Sequence, residues 1–385
     1  MNKSIVLVLL WLAGFYMRVP ILAAAALGAQ IDADFGLSQS ALGALTTLPI
    51  LMLGLGALPA AFVIARIGAR NTVVLALLLT AVASALRAAA PGIGLLLTTT
   101  VIMGLGIAAM QPALPALVPR WCPQFVALGS AVYLNGTMMG EFAGAGLTLP
   151  IVLPLAGGGW RGAFLLWSLP AIAIAFALFY PHQQGMDRPK VRTRSLPAWN
   201  DRQMWQFGLM LGTMSATFFG LNAYLSSVLA DKNMRDWLDI MLFVFNLAQV
   251  LASAFMLAAP RRMIILPRLL FATTTLITLS LLGFVLFTGL PALLAAMLLS
   301  FFSGIHMIVL VTLPPLLRSP HEAGILAAGL FAIGYGLAFL LPLGAGAIAD
   351  ASGTTLSALW LFAAANMLCL PLAWWTRIRP NDRLI

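Results

Sequence analysis

The sequence predicts an all-α integral membrane protein with twelve transmembrane helices in two pseudo-symmetric six-helix halves. Three observations carry that expectation. Hydrophobic residues fill 62% of 385 positions and charged residues 8%, with a mean hydropathy of +1.00, whereas soluble domains carry about 25% charged residues. Apolar runs long enough to span a bilayer recur from end to end, with no polar block large enough for a soluble domain. The chain also repeats itself at an offset of 200 residues: Gly104 matches Gly304, Pro115 matches Pro315, Leu117 matches Leu317, Gly129 and Gly136 match Gly329 and Gly336, Gly144-Ala145-Gly146 matches Gly344-Ala345-Gly346, and Trp160 matches Trp360.

In chain order the spans are expected at 5–27, 39–65, 72–89, 93–117, 125–152 and 161–181, then at 204–229, 238–259, 266–288, 291–316, 323–349 and 355–376. Their connections are short and carry Gly, Pro and Asp. The exception is the polar stretch Pro181 to Arg202, which divides the chain into an N-terminal half (1–181), a cytoplasmic linker (182–203) and a C-terminal half (204–385). Both copies of the repeat lie the same way up, as a parallel repeat requires, and alternating access by rocking one half against the other follows from that symmetry. Lys3 before the first apolar run imitates a signal peptide, but Arg18 interrupts the run and many equivalent segments follow, so cleavage is disfavoured.

The net charge of +10 is explained by placement. Sixteen Lys/Arg fall in one set of loops and termini, four (Arg87, Arg161, Lys232 and Arg235) in the other, and Arg18 lies inside the membrane, which accounts for all 21. The positive-inside rule then puts both termini and the linker in the cytoplasm of a bacterial-type inner membrane, and no nucleic-acid partner is needed. Cys122 and Cys369 form no CxxC pattern and the three histidines are scattered, so neither a metal site nor a disulfide framework is implied. No lysine follows glycine, which removes a Walker A phosphate loop and with it an ATP-driven pump. An enzyme would need convergent acids, a nucleophile–base pair or metal ligands inside the membrane, and the chain offers one deep carboxylate. No cofactor is expected. The expected partners are a small-molecule substrate and the lipid bilayer, with the chain acting as a monomer.

The first segment organises the functional reading. Arg18 sits near the middle of one bilayer thickness of Leu, Val and Ala, at an insertion cost of about 2.5–3.5 kcal/mol. A guanidinium is always charged and offers a planar fork of donors suited to a small planar anion. Glu141 is the sole acidic residue deep in a predicted span. Counted from the cytoplasmic ends, it and Arg18 lie at depths agreeing within a helical turn, so an ion pair between them is feasible. Its repeat partner is Leu341, so the fold itself does not demand a carboxyl group there. The spaced glycines of the fifth span (Gly129, Gly136, Gly140, Gly144 and Gly146) read as close-packing positions between helix backbones. The cluster Asp231, Lys232, Arg235, Asp236 and Asp239 reads as a solvated external loop.

Met17-Arg18-Val19-Pro20, Leu45-Thr46-Thr47-Leu48-Pro49 and Gly106-Ile107-Ala108-Ala109-Met110-Gln111 through Leu114-Pro115, with Gly129 to Gly146, carry a family likeness. In these the chain resembles the major facilitator superfamily and, within it, the cyanate and 2-nitroimidazole transporters. The stretch Ala65-Arg66-Ile67-Gly68-Ala69-Arg70 keeps the superfamily's basic residues and glycine between the second and third spans, with Ala65 where the family carries Asp. The resemblance implies a central cavity lined by the first, fourth, seventh and tenth helices. On those helices Arg18, Tyr16, Gln111, Asn222, Tyr224 and His306 become candidate substrate ligands, with Glu141 as ion-pair or coupling residue. Asn135, Asn246, Gln249 and Tyr335 read as interhelical hydrogen-bonding groups. The function implied is a secondary active transporter of a small anion or planar polar solute. A multidrug-type exporter of amphipathic compounds, with Arg18 neutralised by Glu141, and a membrane receptor that moves nothing are the competing readings.

Overall fold

A computed structural model describes residues 3–179, 199–259, 268–318 and 320–376; most of the expected linker, 182–198, lies outside them, as does His182. Among the described residues the chain is helical with no strand. The order is α1 (Lys3–Tyr16), α2 (Val19–Ala26), α3 (Gly28–Phe35), α4 (Gln39–Leu55), α5 (Ala57–Ala88), α6 (Ile93–Trp121), α7 (Val126–Gly146), a π-helical turn (Thr148–Val152) running into α8 (Leu153–Leu155), α9 (Trp160–Phe179), α10 (Arg202–Asp231), a 3-10 turn (Arg235–Trp237), α11 (Leu238–Ala258), α12 (Leu269–Leu286), α13 (Gly289–Leu317), α14 (Pro320–Ser352) and α15 (Leu356–Trp375). Among the described residues nine helical segments are long and apolar enough to cross a membrane, and the bent pair Leu128–Gly146 plus Thr148–Leu155 makes a tenth. The other two expected spans are the shorter apolar helix α4 and α10, whose 30 residues are diluted by Thr213, Ser215, Thr217 and Asn222. Large apolar side chains such as Leu79, Phe176, Leu279, Leu298 and Leu368 point outward. Lipid tolerates this and water does not.

Three expected spans are interrupted. The first breaks at Met17–Arg18, because Pro20 has no N–H to return to the Tyr16 carbonyl; Met17 and Arg18 turn back with 3-10 bonds to Gly14 O (3.1 Å) and Phe15 O (3.2 Å). The second breaks at Gly56, and the loop expected at 66–71 contracts to Gly68, which leaves helical geometry at φ +82°. The fifth ends at Gly146 and bends by 55° into the π-helical turn that holds Pro150. Arg87, expected in an external loop, is instead fully buried inside α5.

The chain forms two compact units, one of Met1–Leu37 with Ala44–Thr193 and one of Ser38–Gly43 with Arg194–Ile385. In the first, α1 and α2 lie backbone to backbone on α7. A Cβ on Gly136 or Gly140 would strike the carbonyl oxygens of Trp11 and Phe15, one on Gly144 would lie 2.7 Å from Val19 O, and one on Gly14 would strike Tyr133 O. Trp11 Nε1 also donates to Asn135 Oδ1 (3.0 Å) across this seam. A second feature closes one end of the unit: Asp34 accepts from Trp160 Nε1 (2.8 Å) and Arg161 Nη1 (2.7 Å). Those two bonds hold its carboxyl below the ordinary carboxylate range. Between α5 and α9, Arg70 donates to Leu178 O and Phe179 O (2.8 Å each), capping the last turn of α9.

In the second unit α10 lies on α14, with Gly208 against Ile333, Gly212 against Leu337 and Gly334 against Leu211. Asp350 accepts from the backbone N–H groups of Gln39 (2.6 Å) and Ser40 (3.1 Å) and from Ser40 Oγ (2.7 Å), so its charge meets the positive first turn of α4. The cluster expected as a solvated external loop is more built than that. Asp231 accepts from Thr355 N (2.6 Å) and Thr354 Oγ1 (2.9 Å), and Lys232 donates to Phe284 O and Val285 O, while Arg235, Asp236 and Asp239 face outward. The 200-residue offset reappears as contacts. Gly104 packs on Pro49 and Met52, and Gly304 on Gln249 and Ala252, each contact displaced by 200.

Gly140→Ala is expected to cost about 1–3 kcal/mol through overpacking against fixed backbone, read as a lower thermal midpoint of the purified protein. Gly336→Ala meets open space and should be neutral or stabilising by up to about 1 kcal/mol. Equal effects would contradict the backbone seam. The Asp34 contact is present above the ordinary carboxylate range and lost as pH falls through the carboxyl's lowered value. The thermal midpoint of Asp34→Asn should therefore depend less on pH at the acid end than that of the unmodified chain.

Candidate functional site

The break in the first span and the glycine seam together bring a cation and an anion into contact. Arg18 occupies the turn between α1 and α2, one residue ahead of the new helix start. Glu141 follows Gly140, the residue that seats Phe15 against α7. Arg18 Nε and Glu141 Oε1 stand 3.4 Å apart with both side chains about 97% buried. Each charge alone is costly at that depth, and each offsets the other's desolvation. The corresponding residues of the second unit are Phe218, stacked on Phe245 at 5.2 Å, and Leu341. The ion pair is therefore an addition to the repeat and no requirement of it.

Tyr16 is fully buried beside this turn, and its hydroxyl donates to Trp167 O. Trp167 Nε1 in turn donates to Thr148 Oγ1 (2.9 Å), and Thr148 Oγ1 to Gly144 O (2.5 Å). This relay ties the end of α1, the middle of α9 and the bend after α7 together, so the position of the Arg18 turn is set from three sides. Gln111 on α6 is half-buried, and its Oε1 has no protein partner.

The sequence reading groups Arg87 with the loop cations because it lies at the end of the expected span 72–89. Nη1 donates to Pro20 O (2.9 Å) and meets Met103 Sδ (3.2 Å), and the guanidinium carbon lies 4.1 Å from the centre of the Phe164 ring. Its sequence signal was the setting Ala83-Ser84-Ala85-Leu86-Arg87-Ala88-Ala89-Ala90, in which nothing nearby could carry a solvated charge.

The second-unit candidates sit in separate surroundings. Asn222 Oδ1 accepts from Asn246 Nδ2 (2.9 Å), linking α10 to α11, and the oxygens of Asn246 and Gln249 lack protein partners. Tyr224 donates to Pro342 O (2.6 Å) and His306 Nδ1 pairs with Thr273 Oγ1 (2.7 Å), so both polar groups are engaged in helix packing. Tyr335, stacked on Phe331, is buried with its hydroxyl unpartnered.

The chain matches the family model described as Major Facilitator Superfamily over residues 6–341. It is 30% identical over 240 residues to the 2-nitroimidazole transporter of Escherichia coli (strain K12), a match spanning 61% of this chain and 60% of that one. It is 26% identical over 371 residues to the cyanate transport protein CynX of the same organism, spanning 94% of each. Among solved structures, the inward-open xylose transporter XylE from E. coli superposes with a TM-score of 0.74 at 14% identity, over 98% of this chain and 96% of that one. The nucleoside transporter NupG does so with 0.74 at 11%, over 96% and 100%.

Removing one member of the buried pair should cost about 3–5 kcal/mol, because the other charge is stranded. Arg18→Met or Glu141→Leu alone should therefore lower the thermal midpoint more than the double variant Arg18→Met/Glu141→Leu, which makes both positions apolar, as their counterparts Phe218 and Leu341 are. Additive losses would contradict the coupling.

Proposed function

The chain belongs to the Major Facilitator Superfamily, and from that premise we propose that it is a secondary active transporter of a small anion or planar polar solute by alternating access. The solute class is of the cyanate, nitrate, carboxylate or nitroimidazole kind, and uptake is coupled to protons through Glu141. The observation that carries this reading is the Arg18–Glu141 pair at a helix break within a membrane span. In the resting site Glu141 balances Arg18. A monovalent anion offers Arg18 a better-shaped partner for its planar fork, and a proton on Glu141 removes the competing carboxylate. The occupied site then holds one cation, one anion and a neutral acid, so its net charge is the same full or empty. That invariance keeps desolvation from opposing loading, and it makes one proton travel with each monovalent anion.

Relatives at 26–30% identity whose names specify cyanate and 2-nitroimidazole support the solute class. With the Lys/Arg bias of the loops, both termini are assigned to the cytoplasm. The closed ion pair also favours a second reading, an exporter of amphipathic compounds in which Arg18 is permanently neutralised.

Cyanate or nitrate should raise the thermal midpoint of the purified chain and Arg18→Ala should abolish the rise. Protection by hydrophobic cations instead would favour the exporter. In proteoliposomes, Glu141→Gln should remove the pH dependence of anion uptake, and an unchanged pH profile would reject the coupling role.

A further inference from the structure

Arg87 has unused binding capacity. It is 0% exposed, and among the described residues no carboxylate lies within ion-pair distance of it. A guanidinium carries five N–H donors. Nη1 is committed to Pro20 O and Met103 Sδ, which together with the Phe164 ring fixes the plane of the group. Nε and Nη2 have no partner. These two nitrogens form the straight edge of the guanidinium, whose parallel N–H groups match two oxygens, or an oxygen and a nitrogen, of a planar or linear anion. The side chain is thus held by one corner with its bidentate edge buried and unpartnered, in a span where a bare cation is costly.

We propose that the Nε/Nη2 edge of Arg87 is a second binding station for a small monovalent anion, distinct from the Arg18–Glu141 pair. This rests on the reading of the chain as an anion transporter and adds a site to it. Pro20, to which Arg87 is tethered, lies two residues beyond Arg18, so both guanidiniums attach to the same break in the first span. Arg18 has a resident carboxylate that the anion must displace. Arg87 has none, so its station fills without a proton. The tether also couples occupancy to the break: an anion drawing on the Arg87 guanidinium pulls on the carbonyl that starts α2. Had Arg87 only pinned helix backbone, its Nη1 contacts would suffice and the remaining edge would bind nothing.

Selenocyanate, a heavier analogue of cyanate visible by anomalous scattering, separates these cases in crystals of the full chain. The expected result is one selenium peak at Arg18 and a second in contact with Nε and Nη2 of Arg87. A peak at Arg18 alone overturns the second station and leaves the transport reading standing. No peak at either, with no displaceable binding of labelled cyanate in solution, overturns the transport reading and the station with it. In solution the unmodified chain should bind two cyanates, and Arg87→Gln one. Arg87→Lys keeps the charge without the parallel fork and should weaken the second site by about tenfold or more. Two equal sites in Arg87→Gln would overturn the proposal.

Discussion

The close approach of α1 and α2 to α7 is the constraint on which the rest depends. Helices packed through ordinary side chains stand 8–10 Å apart; here Gly14, Gly136, Gly140 and Gly144 let backbone meet backbone. In lipid, where apolar side chains gain nothing by leaving the solvent, such close van der Waals contact is a main source of helix association. It also sets electrostatics. A long arginine and a glutamate could meet across a wider gap, but water would fill it and weaken their interaction. At this seam the pair is almost wholly buried, so its charges act at low dielectric and any change of protonation or partner is felt strongly.

A broken helix is the second ingredient. Proline at position 20 removes one backbone bond and frees the Tyr16–Val19 turn from the regular ladder. Non-helical backbone at membrane depth persists where protein surrounds it. Here α7, the Tyr16–Trp167–Thr148 relay and the Arg87 tether on Pro20 supply that enclosure. The turn that presents Arg18 is therefore fixed by three neighbouring elements, a placement that a loop open to solvent would not give.

Much of the fold was legible because membrane chemistry writes itself in composition and period. Hydropathy located the spans, and the 200-residue offset reappears in the matched contacts of Gly104 and Gly304. Counting residues from helix ends set Arg18 level with Glu141, and the side chains meet. Glycine spacing pointed to a packing seam, although the repeat partner Gly336 meets open space, a difference that depends on the neighbouring helix and cannot be read from position. The helix breaks were less legible, since proline is tolerated within spans, as Pro112 and Pro170 show by lying inside intact helices. Arg87 was hidden by its place near a helix end, where a long cationic side chain ordinarily snorkels to the interface. The partners of Asp350 and Lys232 were beyond reach because most are backbone groups far along the chain.

The proposed anion chemistry rests on one exchange, in which a solute replaces Glu141 as the counter-charge of Arg18 and the displaced carboxylate takes up a proton. Infrared difference spectroscopy on the purified chain observes that exchange directly. Adding cyanate should produce the carbonyl stretch of a protonated carboxylic acid and an equal loss of carboxylate absorption, both missing in Glu141→Gln. Cyanate binding with the carboxylate bands unchanged would contradict the account.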